Sequence, residues 1–586
     1  MNFVKGFLTS CLGAFAAMAL VLLSIVVLIS MSGEEEIMVK DNSVLMLDLD
    51  VPILEIEKED PFSGLSLFGA SSRKPIGLAQ LRQCIAKAKT DPKIKGIYLS
   101  ISYPMTGFTV IEEIRESLIS FREDGKWVVA YSEVMSEGAY YLASAADKVY
   151  LNPEGEIEFN GLAVEVSFFK RLFDKLEIKP EVFRVGEFKS AVEPFLLEKM
   201  SDSNRLQLTE MIGSIYDYVL TKISESRNIP KAELKDISDK MLVRNAGLAE
   251  EYGLVDSLLY DDQVQNELKQ RIGLAEDKHV EFVKYSKYKR SFSTYSKSDN
   301  EVAVIVAEGT ILPGKANPGR SIIGSESFIG ELRKLRENER IKAVVIRINS
   351  PGGSSLASDV IWREIRNTAN VKPVIASMSD YAASGGYYMA MGCDTIVAQP
   401  HTITGSIGVF SILYDASGFL GNKIGITSEE LKTGEIGELI TISRPLSDSE
   451  KAIWQKRTEE VYETFTQKAA EGRRMSVENI KKVASGRVWT GVQAKERGLV
   501  DILGSFDDAV HIAAETAGVA DDFKVRFYPQ YKPSIFEQLV DQFDEEAQLS
   551  KIKAQLGDNF YFYQQWERVK SYHGTQARMP FEMKIQ

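Results

Sequence analysis

The sequence predicts a tandem duplication of one α/β domain, preceded by an apolar segment long enough to cross a bilayer. Three observations carry this reading. Matching segments recur about 247 positions apart, strand-like and helix-like stretches alternate within each copy, and residues 7–31 contain no charged side chain. A chain of 586 residues exceeds what one hydrophobic core usually organises, so several units are expected from length alone.

The amino-terminal stretch "FLTSCLGAFAAMALVLLSIVVLISM" runs from Phe7 to Met31. As a helix at about 1.5 Å per residue it would span a hydrocarbon core of roughly 30 Å. Lys5 precedes it and Glu34, Glu35 and Glu36 follow. The positive-inside rule then places residues 1–45 as a cytoplasmic stub, a signal anchor and a juxtamembrane segment, with the body on the extracytoplasmic side of the inner membrane. A cleaved signal peptide is the rival reading, but the apolar run is longer than the usual h-region of about 7 to 15 residues. "LTSC" at Leu8–Cys11 has the look of a lipoprotein site without the apolar run that should come before it.

The first repeat is expected at 46–282 and the second at 301–520, joined by the polar, Lys/Ser/Tyr-rich linker 283–300. "DPKIKGIYLSI" from Asp91 matches "NERIKAVVIRI" from Asn338, each a polar turn feeding a β-branched run of strand type. "EGAYYLASAADKVYLNP" from Glu137 matches "SGGYYMAMGCDTIVAQP" from Ser384, and "EYGLVDSLL" matches "ERGLVDILG" with Gly253 against Gly498. Helix-like segments such as "GLAQLRQCIAKAKT" and "FIGELRKLRE" lead into the strands. This alternation predicts largely parallel sheets, with ligand sites at the carboxyl ends of the strands. Residues 521–586 have no counterpart in the first copy and read as an amphipathic tail. Docking of that tail on the body is the plain expectation.

Composition limits the function. A net charge of −13 and an acidic pI argue against nucleic acid as a partner. Cys11, Cys84 and Cys393 form no C-x-x-C pair and read as structural thiols. The four histidines, His279, His401, His511 and His573, show no metal-ligand spacing, so neither a metal nor another cofactor is expected. Of these, only His401 lies close enough in sequence to Ser384 to be weighed as a catalytic base.

The chemistry emerges where the copies differ. The second copy has "NSPGGSS" where the first has "ISYPMTGF", so Gly352 and Gly353 stand opposite Met105 and Thr106. Glycines after a strand let backbone N–H groups face a ligand, as an oxyanion site requires. Ser384 stands opposite Glu137. A serine nucleophile needs a base, and histidine is scarce. "RVGEFKSAVEPF" supplies Lys189 in the first copy, while "KTGEIGELITI" places Gly437 opposite it in the second. One repeat keeps the lysine and the other keeps the serine, the pattern expected from duplication followed by division of labour. A base must be neutral, so Lys189 should be buried, with Glu187 and Glu193 turned away from it.

"AASGGYYMA", "NSPGG", "TITGSIGV" and "RVGEFKSAVEPF", together with the anchor and the duplication, closely resemble the long two-repeat form of bacterial signal peptide peptidase A, a protease IV-type serine peptidase. The resemblance runs to about residue 520. It implies a crotonase/ClpP-like fold and a Ser/Lys dyad with Ser384 as nucleophile and Lys189 as general base. It also implies oxyanion-hole amides at Gly353 and Gly385, and a lysine-assisting hydroxyl at Ser406. Signal peptides and other hydrophobic peptides are the implied substrates, and a homotetramer opening toward the membrane is the implied assembly. Two rivals from other classes are an acyl-CoA enzyme on the same fold and an inactive membrane scaffold.

Overall fold

The computed structural model describes Gly13 and residues 38–57, 75–292, 298–316, 321–529 and 575–579. Apart from Gly13, the expected anchor at 7–31 lies outside the described residues. Among the described residues no helix is long and apolar enough to cross a membrane.

Each repeat is built on its own sheet. In the first, strands run in the order Ser257–Leu258, Lys148–Ile157, Trp127–Met135, Ile94–Ser100, Ser43–Asp48 and Phe282–Lys284, and all neighbours are parallel. The second repeats this order with Ile502–Leu503, Thr395–Ala398, Val374–Ala383, Ile341–Ser350, Glu301–Glu308 and Lys524–Tyr528, again parallel. Lys524–Tyr528 lies in the segment expected as a tail, yet it edges this sheet as Phe282–Lys284 edges the first. Its five residues are too short to show a period in the sequence.

The central strands of each sheet are buried on both faces, which is why they read as continuous apolar runs rather than alternating ones. From Val344 through Ile348 no residue is more than 2% exposed. Burial of a Val, Leu or Ile side chain contributes about 1.5–3 kcal/mol relative to exposure, so the central strands dominate the stability of each repeat. Helices Leu78–Thr90 and Phe108–Glu123 in the first repeat correspond to Ser325–Glu337 and Ser355–Ala369 in the second. The long helices Asp202–Arg227 and Asp448–Arg473 correspond likewise, and each starts on a serine cap, Ser201 and Ser447.

A third sheet crosses between the repeats. Lys179–Val185 from the first repeat pairs antiparallel with Val409–Asp415 from the second, in register from Val185 opposite Val409 to Lys179 opposite Asp415. The same sheet continues through Gln576–Arg578 to Gly352–Ser354 and Thr310–Leu312. It therefore carries a first-repeat strand to the carboxyl end of the second-repeat sheet.

A buried charge cluster also joins the repeats. The Arg347 guanidinium donates to Glu55 at 2.8 Å and pairs with Glu113 at 2.7 Å, while its remaining N–H groups reach the Ser377 and Ser379 hydroxyls at 3.1 Å. Asp380, on the strand Val374–Ala383 that leads to Ser384, accepts from the Thr109 N–H at 3.1 Å at the start of helix Phe108–Glu123. Burial and the nearby Glu55 push Asp380 up to about 6. Removing one member of such a cluster strands the others without water, so it ties the geometry of one repeat to the other.

Candidate active site

Strand Val374–Ala383 ends directly before Ser384, and helix Gly385–Ala390 begins directly after it. Ser384 takes φ 56° and ψ −108°, a conformation that L-residues rarely adopt, and it is fully buried. The Ser384 N–H donates to Gly405 O at 2.8 Å, and Tyr388 N–H donates back to Ser384 O at 2.8 Å, so both flanks of the corner are held. The matching corner of the first repeat is filled differently. There Glu137 lies inside the helix, and its carboxylate accepts from Gly161 N–H at 2.8 Å and Asn160 N–H at 3.3 Å.

Lys189 follows the cross-repeat strand by four residues. Its loop is held by Phe188 N–H donating to Ser485 O at 3.0 Å and by Gln207 Nε2 donating to Phe188 O at 3.0 Å and Ser190 Oγ at 2.9 Å. The side chain is fully buried, with Nζ 2.9 Å from Ser384 Oγ, 3.0 Å from Ser406 Oγ and 3.0 Å from Ser406 O. Burial alone holds its pKa well below the ordinary lysine value. The three contacts fit a neutral amine, which has two N–H donors and one lone pair. In a neutral amine the two N–H groups would serve Ser406 O and Ser406 Oγ, which would leave the lone pair for the Ser384 hydroxyl.

Both nearby acids face other partners, as the sequence reading required. Glu187 accepts from Ser203 Oγ, while Glu193 accepts from Ser201 Oγ and, at 3.2 Å, from Ser201 N–H. Gly437, aligned opposite Lys189, is exposed in a turn. Ser406 also has a positive φ, 50°, and its N–H donates to Arg487 O at 2.7 Å.

The glycine loop lies against this corner. Gly352 has φ +100°, and a Cβ placed on it would come 2.7 Å from the Gly385 nitrogen and 2.2 Å from the Ala577 oxygen. Gly353 pairs with Ala577 in the third sheet. The Gly353 and Gly385 amides therefore border one notch. The tail strand in that notch escapes a sequence reading because three residues carry no periodic signal and the first repeat offers no copy. Gly486 was missed as well. It has φ +77°, and a Cβ on it would come 2.6 Å from Lys189 Cβ, so its bare backbone is the wall against which the lysine rests.

His401 is not part of this constellation. It is 3% exposed and packs against Phe108, Tyr141 and Tyr218 of the first repeat, with ring centroids at 5.9, 5.8 and 4.8 Å. Neither ring nitrogen has a hydrogen-bond partner among the described residues. Burial, assisted by Arg115, pushes its pKa down to about 3. Cys84 and Cys393 are buried thiols, with Cys84 pushed up to about 12 by burial; Cys11 lies outside the described residues.

Comparison with known proteins bears on what such a corner does. Residues 120–275 and 366–520 each match the profile described as "Peptidase family S49". The chain is 37% identical to the chloroplastic serine protease SPPA of Arabidopsis thaliana over 503 residues, covering 85% of this chain and 72% of that protein. It is 32% identical to Protease 4 of Haemophilus influenzae over 554 residues, covering 91% and 89%. It is 36% identical to Protease 4 of Salmonella typhi over 493 residues, covering 82% and 78%. Among solved structures, ClpP1 from Listeria monocytogenes aligns over 35% of this chain and 94% of its own, at 18% identity and a TM-score of 0.24.

Proposed function

The chain belongs to peptidase family S49 as a serine peptidase of the signal peptide peptidase A and protease 4 group, and on that premise we propose that it hydrolyses peptides through a Ser384/Lys189 dyad and an acyl-enzyme. The observation that carries this reading is the fully buried Lys189 Nζ placed 2.9 Å from Ser384 Oγ. That separation lies within the range of direct proton transfer, about 2.6–3.2 Å.

Neutral Lys189 takes the Ser384 proton as Oγ attacks the substrate carbonyl carbon. Negative charge moves to the carbonyl oxygen, where the Gly353 and Gly385 N–H groups receive it. Collapse breaks the C–N bond, and Lys189 returns the proton to the departing amine. Water then attacks the ester while Lys189 takes its proton, the bond between the acyl carbon and Ser384 Oγ breaks, and Lys189 returns the proton to Oγ, which restores the neutral base. Ser406 uses its carbonyl and hydroxyl to hold the two amine N–H groups, which aims the lone pair at Ser384. An acyl-CoA reaction would assign no task to a buried lysine against this serine, and an inactive scaffold would have no need of the strained corner.

Signal peptides left after protein export are the substrate class. The apolar segment 7–31 would hold the peptidase at the inner membrane, with its crotonase/ClpP-like body on the extracytoplasmic side, where such peptides are released. Self-association into a tetramer is supported by an uncovered apolar edge. Residues 427–433 are the counterpart of the cross-repeat strand Lys179–Val185 in the alignment that sets Gly437 opposite Lys189, and Ile424, Ile426, Leu431, Ile436, Ile440 and Ile442 in and around them are exposed. The test is hydrolysis of a synthetic signal peptide in detergent by wild type, Ser384→Ala and Lys189→Ala. Each folded variant should lose at least about 10³-fold in kcat/KM. Near-normal activity in either would end the dyad reading.

A further inference from the structure

Two buried amides face the lysine loop from the long helix Asp202–Arg227. The inner face of this helix is apolar at Leu208, Met211 and Ile215, yet near its start it presents Asn204 and Gln207, which are 2% and 1% exposed. A buried amide is costly unless its donors and acceptor are met. Gln207 Nε2 donates to Phe188 O at 3.0 Å and to Ser190 Oγ at 2.9 Å, on the residues immediately before and after Lys189. The Ser190 hydroxyl in turn donates to Asn204 Oδ1 at 2.8 Å, and Gln207 Nε2 lies 3.0 Å from the same oxygen. At the other end of the amide, Gln207 Oε1 accepts from Val488 N–H at 3.3 Å. These partners fix the orientation of the amide, because a carbonyl can only accept and a backbone N–H can only donate.

Val488 belongs to the second repeat. It opens strand Val488–Thr490, which pairs antiparallel with Ile403–Gly405 directly before Ser406. Arg487 O accepts the Ser406 N–H at 2.7 Å, and Gly486 N–H donates to Ile407 O at 2.8 Å. Residues 485–488 therefore hold the Ser406 turn on one side. On the other side Ser485 O accepts the Phe188 N–H at 3.0 Å. Gln207 closes this circuit, so the backbone of Phe188 is held at its N–H by Ser485 and at its carbonyl by an amide that also grips Val488. The charged side chains nearby are engaged in other ways. Arg184 Nη1 donates to Lys189 O at 3.5 Å, Arg487 lies over the Phe188 ring at 4.7 Å and pairs with Glu210, and Glu187 and Glu193 accept from Ser203 and Ser201. Burial is what keeps Lys189 neutral, so the base depends on a loop that stays closed.

We propose that Gln207 is a positioning residue for this reaction, whose single amide holds the base loop of the first repeat against the second-repeat segment that carries Ser406. This rests on the Ser384/Lys189 reading. Gln207 acts through the backbone on either side of Lys189 rather than on the reacting atoms. Without the amide, Phe188 O and Val488 N–H lose their buried partner. The loop then opens to recruit water, Lys189 becomes hydrated, and the ammonium form returns. Ser384 and the glycine loop lie on other elements, so substrate affinity should change little.

The test compares the full-length wild type with two variants. Gln207→Leu keeps the bulk and loses every polar contact, whereas Gln207→Asn keeps an amide on a stem too short to span Phe188 and Val488. kcat and KM for a synthetic signal peptide in detergent are measured at pH 7 and pH 9.5, with folding checked by circular dichroism. At pH 7 kcat should fall about 10- to 100-fold in Gln207→Leu and about fivefold in Gln207→Asn, with KM within about twofold of wild type. At pH 9.5 the deficit of Gln207→Leu should shrink at least about fivefold, because more of a hydrated lysine is neutral there. A brace unconnected with the base would lower kcat equally at both pH values. That result, or wild-type kinetics in both variants, would overturn the proposal. If Gln207→Leu does not fold, Gln207→Asn decides by the same criteria, its deficit closing at pH 9.5 or persisting. Lys189→Ala, assayed alongside, isolates the premise. Near-normal activity in that variant rejects the dyad and the role of Gln207 with it, whereas an inactive Lys189→Ala beside unaltered Gln207 variants rejects the role of Gln207 alone.

Discussion

His401 provides a quantitative prediction because it is buried against three aromatic rings of the other repeat, Phe108, Tyr141 and Tyr218. With its folded-state pKa pushed down to about 3 and an unfolded value of about 6.5, the unfolded chain takes up a proton in the intervening range that the folded chain refuses. Stability is therefore lost as pH falls from about 6.5 toward 3. The linkage relation gives a loss of about 2 kcal/mol at pH 5 and about 3 kcal/mol at pH 4 relative to neutral pH. The perturbation is His401→Phe, which keeps an aromatic ring in the box and removes the titration. Thermal or urea unfolding of both proteins at pH 7.5, 5 and 4 provides the assay. Any packing cost of the larger ring shifts the variant equally at every pH, so the informative quantity is the difference in pH slope. The variant should gain on wild type by about 2 kcal/mol between pH 7.5 and 5. Parallel slopes would show that the histidine is hydrated or partnered in the folded chain, and the linkage argument would fail.

Four further outcomes follow from the same geometry. Lys189→Arg should abolish peptidase activity, measured by peptide hydrolysis, because a guanidinium cannot become a neutral base. Ser406→Ala removes the hydroxyl contact to Lys189 Nζ and should lower kcat by about 5- to 150-fold with little change in KM, corresponding to the 1–3 kcal/mol of a buried group left unpaired. Gly486→Ala combines an unfavourable positive φ with a Cβ 2.6 Å from Lys189 Cβ, and should reduce kcat/KM by about 100-fold through displacement of the lysine; unaltered kinetics would contradict that wall. Arg347→Met leaves Glu55 and Glu113 buried without their cation and should cost about 3–5 kcal/mol in urea unfolding at neutral pH.

Much of this architecture is legible in the sequence because duplication supplies a built-in comparison. A strand buried on both faces shows only an apolar run, but the same run 247 positions later fixes it as a structural unit. The reciprocal retention of Lys189 and Ser384 pointed to a pairing that neither neighbourhood could reveal alone, and the structure brings the two side chains into hydrogen-bond contact. What escaped is what has no second copy or no local period. Gln576–Arg578 is three residues long, and its partner Gly352–Ser354 is another three. Their pairing depends on a backbone ladder rather than a side-chain pattern. Gly486 escaped for a related reason, since its importance lies in an atom it does not have. Sequence proximity to Ser384 makes His401 a candidate base, but the fold carries it into the aromatic face of the other repeat.

The proposed role of Lys189 as the neutral base that activates Ser384 can be read from the pH dependence of Ser384 phosphonylation by a serine-reactive phosphonate, followed by intact mass. Labelling should proceed at neutral pH with an apparent pKa well below that of free lysine, slow strongly in Lys189→Met and be absent in Ser384→Ala. Equal labelling rates in wild type and Lys189→Met across the pH range, or a label that persists in Ser384→Ala, would contradict it.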